Sequence, residues 1–183
     1  MSDIIDEHAK ETIEHHGHRN RAIAVMIAAL AAGLALTEMG EKQAQNAYLT
    51  HHIAVSDDYA FYQAKNARAT VWQIEGNILK NLPNATEAGP QSEINRAKDQ
   101  ETRLRDEPGG DGMKQLAEKA KHQEELRDHA LHQYHLYEYS VGALQISIVL
   151  ASVAVVTGVM PLAWAAGAIG AMAAAFGLYV ALI

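Results

Sequence analysis

Two stretches decide the fold: VGALQISIVLASVAVVTGV at residues 141–159 and LAWAAGAIGAMAAAFGLYVALI at residues 162–183. Neither contains a charged side chain. A hydrocarbon core about 30 Å thick is crossed by roughly 20 apolar residues in a helix, where every backbone donor and acceptor is paired internally. Both stretches meet that requirement. The polar members of the first, Gln145, Ser147, Ser152 and Thr157, are small enough to bond a neighbouring helix or their own backbone. Gly158 and Pro161 break the helix between them and leave a connection of a few residues, so the two spans run antiparallel as a hairpin.

Working back toward the N-terminus, a weaker apolar block covers residues 22–36, followed by Thr37 and Glu38. It is short for a span. Arg21 and Glu38 lengthen it by reaching back to the interfaces, so residues 22–39 are expected to form the first transmembrane helix. The acidic tail of residues 1–21 is unlike the short basic leader of a signal peptide. It holds a histidine cluster, His8, His15, His16 and His18, in which only adventitious metal binding is expected.

These blocks predict an all-α integral membrane protein with three transmembrane helices (22–39, 141–159 and 162–183) and a helical extramembrane region at 40–140. Lys10, Arg19 and Arg21 precede the first span, and positive charge is retained in the cytoplasm, so the N-terminus is expected inside. Tyr134, Tyr137, Tyr139 and Tyr179 then share one interface, and Trp164 marks the other.

Within 40–140, residues 41–82 contain no proline and one glycine, Gly76, while Val55, Tyr59, Tyr62, Val71, Ile74, Ile78 and Leu82 recur at near-helical spacing. A long amphipathic helix with these residues on its packed face is expected. Breaks follow near 83–91 and 107–112, where Pro83, Gly89, Pro90, Pro108, Gly109, Gly110 and Gly112 cluster. Ser92 is placed to cap the charged helix between them, which is expected to run to about Asp106.

The His-rich acidic N-terminus, the stretch SDDYAFYQAKNARATVWQIEGNIL (residues 56–79), a charged helix and a C-terminal span hairpin together resemble an uncharacterised bacterial family of small membrane proteins. The motif residues are Ser56 and Asp57, then Tyr62, Gln63, Ala64, Lys65 and Arg68. The resemblance implies a bacterial cytoplasmic membrane with a periplasmic middle region and supplies no activity. Basic residues often stand in the hairpin turn of such proteins, whereas Val159, Met160 and Pro161 stand here.

Chemistry-bearing residues are few. With a formal net charge of −7 and no basic run, nucleic-acid binding is excluded as an expectation. The absence of cysteine removes disulfides, thiolate catalysis and cysteine-held metal. His129 and His132 with Glu125 are the one candidate metal set; a hydrated helix face is the preferred reading. Adjacent Asp57 and Asp58 point about 100° apart on a helix and are expected on its solvated surface. Tyr59, Phe61, Tyr62 and Trp72 are expected to pack between helices. The glycines near 110 lack the Lys-Ser or Lys-Thr ending of a nucleotide loop. Glu38 and Gln145 are the candidates for lining a pore.

Small residues at four-residue spacing let helices approach closely in lipid. Gly33 in the first span and Ala163, Gly167, Gly170, Ala171 and Ala174 in the last are the candidate packing positions. More small faces exist than three spans use among themselves, so contact with other copies or another membrane protein is expected. The functional expectation is a non-enzymatic structural or assembly protein, a homo-oligomer or an accessory subunit, without a cofactor. A channel and a metal-binding membrane protein are the alternatives.

Overall fold

A computed structural model describes the side chains of residues 20–183; the histidine cluster of residues 8–18 lies outside them. The elements are α1 (Ser2–Lys80), α2 (Ala88–Arg105), α3 (Met113–Thr157) and α4 (Met160–Val180). Three of these helices, α1, α3 and α4, contain windows long and apolar enough to cross a membrane. The protein is an all-α, three-span membrane protein with a helical region between the first and second spans. By its contacts the chain divides into a spanning unit, residues 1–46 with 131–183, and an intervening unit, residues 47–130.

The spanning unit packs one face from each of α1, α3 and α4 in layers. Ile23 meets Ala151, Ala154, Ala163 and Ala166; Leu30 meets Leu144 and Ala173; Ala44 meets Tyr137 and Val180. On α4 the buried positions are Ala163, Ala166, Gly170, Ala173, Gly177 and Val180, alternating steps of three and four. This is the seven-residue repeat of a supercoiled bundle, and five of its six members are Ala or Gly. Small side chains here let α4 lie close to its neighbours. A Cβ on Gly170 would collide with Leu30, and one on Gly177 would stand 2.8 Å from Ser140 Oγ.

The buried hydroxyls of this unit are satisfied locally, as hydrocarbon demands. Ser140 Oγ donates to the Ala173 carbonyl at 2.7 Å, tying α3 to α4. Thr37, Ser147, Ser152 and Thr157 each donate to the carbonyl four residues earlier. The turn of the hairpin is Gly158, whose φ of 68° is a conformation that a Cβ disfavours. Pro161 occupies the first turn of α4, where its missing N–H costs nothing.

The intervening unit is a three-helix assembly. Its buried apolar residues are Val55 and Ala69 on α1, Ile94 and Ala97 on α2, and Met113, Leu116, Ala120 and Ala130 on α3. Gly76 faces α2, where a Cβ added to it would meet Ala97 Cβ at 3.5 Å, an ordinary contact distance. The loop between α2 and α3 is pinned by Gln115, whose side chain donates to Asp106 Oδ1 at 2.6 Å and accepts from the Glu107 backbone N–H at 3.3 Å.

Two local expectations need correction. Ser92 does not cap α2, which begins at Ala88 with Glu87 before it; the Ser92 hydroxyl donates instead to the Gly89 carbonyl at 2.7 Å. Pro90 tolerates a helical first turn because its absent N–H would be unpaired there anyway. More consequentially, the packed face of α1 is not the expected one. Val55 is buried and Tyr62 half-buried, but Tyr59, Val71, Ile74, Ile78 and Leu82 are exposed. The face that packs carries Tyr48, His51, Val55, Asp58, Tyr62, Lys65, Ala69, Trp72 and Gly76. Its steps of three and four form an unbroken heptad seam, and its polar and small members conceal it from a search for large apolar residues.

Candidate functional site

Asp58 is the one charged side chain buried among the described residues of the intervening unit, with 6% of it exposed. Its position on the seam, three residues after Val55 and four before Tyr62, turns it toward α3, while its neighbour Asp57 is exposed. Oδ1 lies 3.3 Å from Lys119 Nζ, and Oδ2 has no hydrogen-bond partner. The expectation that both aspartates are solvated therefore fails at Asp58. A heptad count would have found it.

A cavity of about 420 Å³ adjoins this pair, lined by Asp58, Phe61, Ala64, Lys65, Arg68, Asp111, Leu116 and Lys119. Lys65 reaches across to donate to the Asp111 carbonyl. Motif residues Lys65 and Arg68 both line this cavity. The chemistry available is ion pairing and register setting: a polar residue at a core position penalises every alignment that leaves it unpaired. Neither Asp58 oxygen hydrogen-bonds to a second carboxylate: Oδ1 faces Lys119 and Oδ2 has no partner among the described residues.

Other polar contacts of the unit hold helices together. His51 Nδ1 and Gln123 Oε1 are 2.7 Å apart between α1 and α3, and Tyr59 Oη donates to Glu124 Oε1 at 3.4 Å. Within α3 itself, the Arg127 guanidinium donates twice to Asp128 Oδ1, at 2.8 and 2.9 Å. That bond raises its pKa above the ordinary arginine value, so the group stays charged. Of the four aromatics expected between helices, Tyr62 and Trp72 are half-buried, whereas Tyr59 and Phe61 are exposed.

Glu125, His129 and His132 are all exposed, and no group of three metal-donor side chains gathers among the described residues. Histidines three residues apart drift around a helix, which separates His129, His132 and His135; His135 faces Glu138 at 3.3 Å instead. Glu38 is half-buried, Gln145 is exposed on α3, and no hydrogen bond joins them.

The small residues of the spans divide between two surroundings. Gly170 and Ala163 are buried, and Gly33, Gly167 and Ala174 are half-buried; a Cβ on Gly167 would sit 3.1 Å from Met26 Sδ. These five face neighbouring helices of the same chain. Ala171 is exposed, as are Ala28, Ala29, Ala31, Ala32 and Ala35 on α1. A recess of about 530 Å³ between α1 and α4, lined by Gly33, Thr37, Gly40, Tyr137 and Gly177 among others, bears no carboxylate, amine or imidazole.

A further feature is an exposed face of α1 in the intervening unit. Ala60, Ala64, Ala67, Val71, Ile74 and Ile78 are all exposed and follow steps of four, three, four, three and four. They constitute a second heptad seam, turned about 150° from the first at 100° per residue. Their apolar character was legible in the sequence, but no helix among the described residues covers them.

No curated protein and no solved structure matches the chain. A family model does, over residues 19–183, which takes in the first span, the whole intervening unit and the C-terminal hairpin. The chain belongs to that family, described as a domain of unknown function (DUF4337).

Proposed function

We propose that this protein is a non-enzymatic, membrane-anchored assembly protein, in which three spans hold the chain in the bilayer and the intervening helical unit makes contacts with other proteins. The observation that carries this reading is the uncovered apolar face of α1. Val71, Ile74 and Ile78 are 62, 53 and 59% exposed, with the polar Thr70, Gln73, Glu75 and Asn77 interspersed among them. Burying such a side chain fully is worth roughly 1.5–3 kcal/mol, so leaving three in water forgoes several kcal/mol that association recovers. Self-association into a homo-oligomer is the principal form of the proposal, and an accessory subunit of a larger membrane complex is the same role with a different partner.

The basic residues ahead of the first span support a cytoplasmic N-terminus, which assigns the intervening unit to the far side of the membrane. The family resemblance supports a bacterial cytoplasmic membrane and hence a periplasmic unit. The test is the mass of the full chain in lipid nanodiscs, read by native mass spectrometry across a range of protein-to-lipid ratios. A homo-oligomer persisting at low ratio is expected. A monomer at every ratio, with no co-purifying protein at fixed stoichiometry, would sink the proposal.

A further inference from the structure

The exposed seam Ala60, Ala64, Ala67, Val71, Ile74 and Ile78 has properties that specify its partner more narrowly than exposure alone. Its period is 3.5 residues, the repeat with which one helix stays against another that supercoils with it. A flat or globular partner imposes no such period. It contains no charge and no proline over its whole length. It also ends at a definite place, because the preceding seam position is the exposed Asp57.

We infer that this seam pairs in parallel with the same segment of α1 in another copy of the chain. The inference rests on the assembly reading above and names its contact. Copies inserted in one membrane with one orientation carry their α1 helices in the same direction, because α1 contains the first span and continues unbroken to Lys80. Parallel pairing sets each seam residue beside its own counterpart. The flanking positions then meet as Gln63 with Arg68 and Thr70 with Glu75, and neither pair opposes like charges. Asp57 would face its own copy, and that repulsion bounds the contact at Ala60 and splays the helices beyond it. The seam lies roughly opposite the one that carries Asp58, Ala69 and Gly76, and of its members Ala64 also lines the rim of the cavity beside Asp58.

The chain contains no cysteine, so single replacements report without background. Full-length Ala67→Cys, Ile74→Cys and, as an off-seam control, Asn66→Cys are oxidised in native membranes with a membrane-permeant catalyst. Cα atoms at a parallel seam fall within disulfide reach, whereas a residue 100° away does not. The expected result is covalent dimer from Ala67→Cys and Ile74→Cys at least five-fold above Asn66→Cys. Ile74→Asp should lower the nanodisc mass without changing helical content. An oligomer whose three cysteine variants cross-link alike, or not at all, overturns the seam and leaves the assembly reading standing; a monomeric parent overturns the seam, and overturns the assembly reading too if no protein co-purifies with it at fixed stoichiometry.

Discussion

The ring of Tyr137 on α3 lies directly against the backbone of Gly40 on α1, so that a Cβ at residue 40 would stand 2.7 Å from Cε1 and Cζ. Glycine inside a helix costs about 1 kcal/mol relative to alanine, and here the close approach explains its presence. Gly40→Ala should therefore destabilise the wild-type protein, since overpacking costs about 1–3 kcal/mol and outweighs the propensity gain. In a Tyr137→Leu background the same change should stabilise. Thermal unfolding in detergent followed by circular dichroism reads the reversal, and a Gly40→Ala that stabilises both backgrounds would show that the ring swings away freely.

Gly170→Leu should disrupt the spanning unit, whereas Ala171→Leu one residue later should leave it intact. A side chain at Gly170 enters the space of Leu30 and Ser147; one at Ala171 enters lipid. We expect the first to lower the unfolding temperature strongly and to open the spans to protease, and the second to change either measure little. Equal tolerance at both positions would be incompatible with the packed row on α4.

Lys119→Met should cost more stability than Asp58→Val. Removing the lysine leaves a buried carboxylate without a counter-charge, while replacing the aspartate removes the buried charge itself. Because 59% of the Lys119 side chain is exposed, solvent compensates part of the loss, and about 1–2 kcal/mol is expected rather than the 3–5 typical of a fully buried pair. The ordering of the two unfolding temperatures is the measurement; the opposite order would mean that Asp58 contributes through a contact other than the ion pair.

His129→Ala combined with His132→Ala should leave metal content unchanged and near zero after chelation and repurification. Both imidazoles are exposed, without convergence on Glu125. Stoichiometric metal in the parent protein that disappears from the double variant, measured by inductively coupled plasma mass spectrometry, would establish a site assembled from these helices.

A reporter active only outside the cytoplasm should be active when fused after residue 100 or after Ile183, and inactive at the N-terminus. The outcome follows from an odd number of spans and the basic residues ahead of the first. Activity from the N-terminal fusion would invert the orientation and place the intervening unit in the cytoplasm.

Much of the architecture is determined by the sequence alone because bilayer insertion depends on composition and length. Residues 141–159 and 162–183 read as spans without reference to any partner, and Gly158 with Pro161 dictates the hairpin between them. Composition does not say which face of a helix meets which neighbour. On α1 the larger apolar residues, Val71, Ile74 and Ile78, lie outside, and the packed seam contains Asp58, Lys65, Ala69 and Gly76. The neighbours that α2 and α3 present decided this: Ala97 of α2 stands opposite Gly76, and Lys119 of α3 faces Asp58. The same principle sorts the small residues of α4, where Gly170 fits under Leu30 and Ala171, equally small, faces outward. Residue type established that close contacts exist, and the tertiary packing of three helices around one another selected the positions that make them.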